Sequence, residues 1–293
     1  MRIWRTFWFL GTAVALLSSP APAQTLDELL NAFVEITDNS EYKSEKSVRV
    51  VGVTKWAIPI EFNIVGASSP ELIGQVEMHM KRLAHLSHLE IDRRHGFVLD
   101  AKDERKSISD VHTLSDGFEF ATMREDTLRP GHLVNAIVDK SAGDAKAWLG
   151  NFSIVFGKRL LLARVFDNLV FDAAVRSQFV DGHLACFSTI TVPEGARDPR
   201  LAIVLIPTDQ DAWLIRRCMV EETTQALGLV NDIPGSTLTL FDDTLARRRT
   251  QLTVYDEMFL RVLYSPEIKL GMTGQALRET ARRLIESELS KKR

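Results

Sequence analysis

Residues 221–232, Glu-Glu-Thr-Thr-Gln-Ala-Leu-Gly-Leu-Val-Asn-Asp, constrain this chain more than any other stretch. They close a segment, 209–230, that reads as one long helix. On a helix Glu221 and Gln225 lie one turn apart on the same side with Glu222 beside them. Val220, Leu227 and Val230 point elsewhere, towards a core. Gly228 stands where a left-handed residue would end the helix, and Asn231 and Asp232 follow before a Pro234-Gly235 turn. Taken alone, a helix with two Glu and a terminal Gly is an ordinary amphipathic helix with Glu on its wet face. Its surroundings decide what it is for.

Upstream, Leu26, Leu29, Leu30, Phe33 and Ile36 repeat at helical spacing and run into a polar surface linker, 38–46. Segments 48–54 and 56–65 read as strands, with Pro59 suggesting an edge position. Ser68-Ser69-Pro70-Glu71 starts a helix, with a Ser cap, Pro in the first turn and Glu placed for a capping box. That helix carries Ile73, Val76, Met80 and Leu83 on one face and is expected to run to about Ser87. Residues 92–116 are polar and charged and read as a long loop or insertion. Strands are expected at 152–156, 184–192 and 202–206, with a mixed, helix-like stretch at 165–180. Thr253-x-x-Asp256 caps a helix that Pro266 stops, and 273–289 is a last amphipathic helix before the basic tail Lys291-Lys292-Arg293. The order implies an α+β (α/β-like) architecture, with a mixed sheet, a capped upstream helix, the 221–232 helix and C-terminal helices.

The first 23 residues read as a secretory signal: Arg2 and Arg5, an apolar run at 7–17, and Ala21-Pro22-Ala23 ahead of Gln24. That run falls short of the about 20 residues that span a bilayer, so cleavage near Ala23/Gln24 and release into the periplasm or medium are expected, without membrane insertion afterwards. Of 36 basic residues two leave with the signal, and against 39 acidic ones the net charge becomes −5. Scattered charge of that sign excludes a nucleic-acid footprint. Cys186 and Cys218 are an even pair in an exported chain, most simply a disulfide, whose loop of about 30 residues would contribute on the order of 3 kcal/mol. The competing reading is a pair of thiol metal ligands, which no Cys-x-x-Cys or Cys/His cluster accompanies.

The spacing of 221–231 resembles the metzincin motif H-E-x-x-H-x-x-G-x-x-H, in which three His bind zinc and the Glu is general base. Glu221, Gln225 and Asn231 stand at the three ligand positions, Glu222 at the base and Gly228 at the turn. The segments Ser236 to Phe241 and Leu252 to Tyr264 resemble the matrixin branch, which implies a zincin-like mixed sheet. The likeness covers roughly 50–272, with specific motifs only in 214–272. A closer resemblance is to a family of exported proteobacterial proteins, the domain-of-unknown-function family 2927. Cys218-x-x-Glu221-Glu222-x-x-Gln225-x-Leu227-Gly228-Leu229-x-Asn231-Asp232 is similar to its signature, as are Phe241-Asp242, Tyr264-Ser265-Pro266 and Gly271-Met272. It implies export and a domain layout but no reaction: signal 1–23, helix and linker 24–47, metalloprotease-like domain 48–272, C-terminal helix and basic tail 273–293.

The departures from a zinc peptidase set the functional expectation. No His follows His183, and no Met lies between Met219 and Met258 to form a Met-turn. Glu221, Gln225 and Asn231 offer one carboxylate and two amides, with Asp232 as a second carboxylate, a set that suits a hard cation such as Ca²⁺ better than Zn²⁺. No bound cofactor is expected. His79, His85 and His88 read as residues of a solvated face, His95, His112 and His132 sit in polar segments, and His183 in a turn; none is assigned as a ligand. Three readings stay open. The chain is a non-catalytic, metallopeptidase-like binding or assembly module for a periplasmic protein or peptide. It is a hydrolase using Glu222 as base with oxygen ligands to a metal. Or the Glu/Gln/Asn set is a hydrogen-bonded network that closes a former metal site.

Overall fold

A computed structural model describes residues 24–37, 52–66, 69–100, 111–113, 119–124, 150–163, 173–192, 196, 198–242 and 248–291. The fold is α+β, built on a seven-stranded sheet ordered β3-β4-β2-β1-β5-β7-β6. Its strands are β1 (Ile60–Val65), β2 (Ile91–Asp100), β3 (Val111–Thr113), β4 (Glu119–Arg124), β5 (Phe152–Gly157), β6 (Phe187–Thr191) and β7 (Leu201–Pro207). The inner pairs β4·β2, β2·β1, β1·β5 and β5·β7 are parallel, and only the outer pairs β3·β4 and β6·β7 are antiparallel. The helices are α1 (Leu26–Thr37), α2 (Pro70–Ser87), α3 (Ala173–Val180), α4 (Ala212–Gln225), α5 (Val254–Leu263) and α6 (Gly274–Ser290).

One face of the sheet carries the main core. Phe62 and Ile64 of β1, Phe152, Ile154 and Phe156 of β5, and Ala202, Val204 and Ile206 of β7 alternate onto it. Against them pack Val76, Met80 and Leu83 of α2, Met219 and Val220 of α4, and Phe259 and Leu263 of α5. α1 is part of this body: Leu29, Leu30, Phe33 and Ile36 are all buried, and Phe33 meets Phe259 edge-on at 5.7 Å. α6 closes the far side with Leu277, Ala281 and Ile285 and is tied to α1 by Arg278 to Asn31 and Arg282 to Asp27. Among the described residues no helix is long and apolar enough to cross a membrane.

Several sequence expectations change. The 92–116 stretch is not all loop, since β2 runs through its first nine positions and β3 lies near its end. Parallel backbone pairing with β1 sets that strand, and Arg93 finds Glu77 of α2 as counter-ion. Pro59 precedes β1 and is not on an edge: β1 has β2 and β5 on either side, and the missing N–H lies outside the ladder. The expected strand at 56–65 shrinks to Ile60–Val65, and residues 52–54 are not strand. α2 ends at Ser87 as expected, with Ser69 accepting from Leu72 N at 3.1 Å. Because Ser69 is the cap, Glu71 falls one position short of a capping box and accepts instead from Gln75 Nε2. α3 occupies 173–180 and α4 ends at Gln225, five residues before the expected limit. The signal, the 38–46 linker, His132 and the last two residues lie outside the described residues.

Candidate functional site

α4 begins after Asp211 and loses contact with solvent along its second half: from Arg217 to Gln225 every residue is buried. Glu221 is therefore not on a wet face, and the amphipathic reading of this helix fails. Its carboxylate is gripped by Arg217 one turn back, with Nε to Oε2 at 3.0 Å and Nη2 to Oε1 at 3.0 Å. The same guanidinium donates from Nη2 to the carbonyls of Leu240 at 2.9 Å and Asp242 at 2.5 Å. A two-pronged Arg–carboxylate pair is the strong form of such contacts. Here it also staples α4 to the 240–242 segment. Burial and the Asp232 charge push the Glu221 carboxyl well above the usual carboxylate range, Glu222 adds to this, and Arg217 pulls the other way.

The remaining motif positions are joints. Gln225 Nε2 donates to Asp232 Oδ1 at 2.8 Å, fastening the helix end to the turn beyond it. Asn231 caps α1: its Nδ2 donates to the carbonyl of Glu35 at 2.7 Å and its backbone N–H to that of Ile36 at 3.3 Å. Glu222 is buried beside Glu221, and its carbonyl accepts from Ala226 N at 3.0 Å. Gly228 has φ of +117° and lies against the 54–56 segment, where a Cβ would stand 2.1 Å from the Thr54 carbonyl oxygen. Only glycine meets both demands.

The carbonyls that α4 leaves unpaired at its end are taken by side chains. Trp56 Nε1 donates to Ala226 O at 2.8 Å and Tyr264 Oη to Leu227 O at 2.7 Å, while Trp56 N donates to Tyr264 Oη at 3.2 Å. Lys55 reaches the carbonyls of Leu263 and Ser265, and burial, helped by Lys269, lowers its pKa to about 8. The Thr253/Asp256 capping box exists as expected. Its Asp256 also accepts from Thr239 Oγ1 and Leu240 N, so the cap binds the same 239–242 segment that Arg217 holds. Gly271 N donates to Val53 O at 2.8 Å and Val53 N to Met272 O at 3.0 Å, so that signature pair also serves as a joint.

Two residues that matter here escape the sequence reading. Arg217 is the i−4 partner of Glu221, a spacing that could have flagged it. His79 read as a solvated residue but is buried, with Nε2 3.2 Å from Thr224 Oγ1. The Thr224 hydroxyl donates to Val220 O at 2.6 Å, so its oxygen accepts and His79 is the donor through Nε2–H. Burial, with a smaller push from Arg82, lowers the His79 pKa from 6.5 to about 4, against a contact with the Val220 backbone that raises it. The signal was positional: 79 falls three after Val76 and four before Leu83, on the apolar stripe of α2.

Cys186 and Cys218 form a disulfide that ties the start of β6 to α4, so neither thiol is a metal ligand. Among the described residues no three His, Cys, Asp or Glu side chains converge as a metal site. The arrangement is that of an α+β protein whose most distinctive helix is sealed at the junction of four chain segments. The chain belongs to the family described as Protein of unknown function (DUF2927), whose model matches residues 27–283. No curated protein and no solved structure matches it.

Proposed function

We propose that this chain is an exported, non-catalytic module, released into the periplasm by cleavage near Ala23/Gln24, that acts by binding a protein or peptide partner. In this reading the 221–231 spacing is that of a degenerate zinc-peptidase frame whose ligand positions have become structural joints. The observation that carries it is the Arg217 guanidinium on both oxygens of Glu221 and on two backbone carbonyls. A metal ion on this carboxylate would sit beside the buried Arg217 guanidinium, a like charge that works against cation binding. Gln225 and Asn231 act as joints in the same reading, each donating its side-chain nitrogen to a neighbouring segment.

The rival is a hydrolase with Glu222 as general base and an oxygen-ligated Ca²⁺ or Zn²⁺ held by Glu221, Gln225 and Asn231 or Asp232. One feature favours it: Asn231 Oδ1 is buried without a hydrogen-bond partner. Metal analysis of protein dialysed against zinc and then calcium separates the two. Substoichiometric metal and no peptide hydrolysis support the module; tightly held stoichiometric metal overturns it. Under the rival, Glu222→Gln abolishes hydrolysis with Tm unchanged, whereas under the module it changes only stability.

A further inference from the structure

The centre of the sheet carries polar groups that the fold itself leaves incomplete. β1 and β5 run in parallel register, with Asn63 opposite Ser153 and Ile64 opposite Ile154. Alternation sends Ile64 and Ile154 into the main core, so Asn63 and Ser153 share the other face. Both have no exposed surface. Asn63 Nδ2, Asn63 Oδ1 and Ser153 Oγ all lack a hydrogen-bond partner. Val65 and Val155, buried on that same face, close the pair off towards the carboxyl ends of the strands. At the other end Asn151 is committed, accepting from Glu61 N at 2.8 Å and donating to Pro59 O at 2.9 Å. The chemistry at this spot is neutral and offers donors and acceptors together.

Buried polar atoms almost always have partners, and one without forfeits the hydrogen bonds it had in water. Three such atoms on two directly opposed residues, on strands about 4.8 Å apart, call for a guest that both donates and accepts. We propose that an internal water molecule bridges Asn63 and Ser153 across β1 and β5. It accepts from Asn63 Nδ2 and donates to Ser153 Oγ, and so makes the two bonds that are the least an internal water makes. The water ties side chains across the strands where the connections reverse. β1 leads into α2 on the core face, whereas β5 leads to Leu162, which packs over Gly157 on the Asn63 face.

The sign of one substitution tests this. With the water in place, Ser153→Ala removes one of its partners and lowers Tm, by about 2–4 °C for a chain of this size. With a dry site, the same change removes an unsatisfied hydroxyl and leaves Tm equal or higher. A crystal structure of the unmodified protein gives an independent reading. The expected result is a water-sized peak within hydrogen-bond distance of both Asn63 and Ser153. A dry site, or a Ser153→Ala Tm at or above the parent's, overturns the proposal.

Discussion

Acid should weaken this fold through His79, and the size of the effect can be worked out. His79 donates to Thr224 between α2 and α4 and is buried as the neutral imidazole. Its pKa falls from 6.5 in the unfolded chain to about 4 in the fold. A depressed folded pKa means that the unfolded chain binds the proton more tightly. The stabilisation is therefore whole above pH 6.5 and drains away as pH falls towards 4. At about 1.4 kcal/mol per pH unit, that interval corresponds to a loss of about 3 kcal/mol. For a chain of this length the loss is a Tm drop of about 6–12 °C. Glu221 and Asp256 work the other way, since burial raises both and their preference for the proton favours the fold as pH falls. The raw pH profile is thus a sum of opposed effects. The comparison that isolates His79 is urea unfolding of the parent and His79→Gln at several pH values from 7.5 to 4. The variant is expected to be less stable at pH 7.5 and to lose less on acidification, so the two curves converge. Parallel curves would refute the reasoning, because they would mean that His79 takes up its proton in the fold as easily as in the unfolded chain.

Four further outcomes follow from the packing around α4 and from the disulfide. Arg217→Met strands a buried carboxylate and is expected to cost about 3–5 kcal/mol in denaturant unfolding, while Arg217→Met combined with Glu221→Met recovers much of it. Gly228→Ala meets both a forbidden φ and the Thr54 carbonyl, for about 3 kcal/mol or more. Gly235→Ala, at φ +71° but where the added Cβ meets no neighbouring side chain or distant backbone within 4 Å, should cost only about 1–2 kcal/mol. Reducing Cys186–Cys218, or replacing both by Ala, releases a loop of 32 residues and should lower stability by about 3.5 kcal/mol, read as a Tm shift between oxidised and reduced protein.

What the sequence discloses and what it hides differ in physical kind. α2 and the 253–256 cap are legible because both the apolar stripe and the capping residues are local. β5 and β7 are legible as short apolar runs, and β6 as a stretch rich in β-branched residues. β2 is not, because charged residues such as Asp92 and Arg93 hide a strand whose pairing with β1 is decided by distant backbone. The failure at α4 is of the same type. Two Glu suggest a wet face unless the Arg217 pair is recognised, and its other partners, the Leu240 and Asp242 carbonyls, lie beyond the helix.

That pattern bears on what a sequence signature records. Glu221 anchors Arg217, which holds 240–242; Gln225 fastens Asp232; Gly228 admits the Thr54 backbone; Asn231 caps α1. Tyr264 closes the end of α4, and Gly271 and Met272 bond to Val53. These positions join segments far apart in the chain, and each fixes its residue type by geometry: a fork for a carboxylate, an amide for a helix end, an absent Cβ for a backbone contact. A metal site would ask the ligand residues to share one centre. Here each serves a different neighbour, so the spacing of 221–231 can be held in place by the demands of folding without any demand from chemistry. A substitution that breaks a joint, such as Asn231→Asp with its loss of the donor to Glu35 O, should therefore be judged first by stability and only then by function.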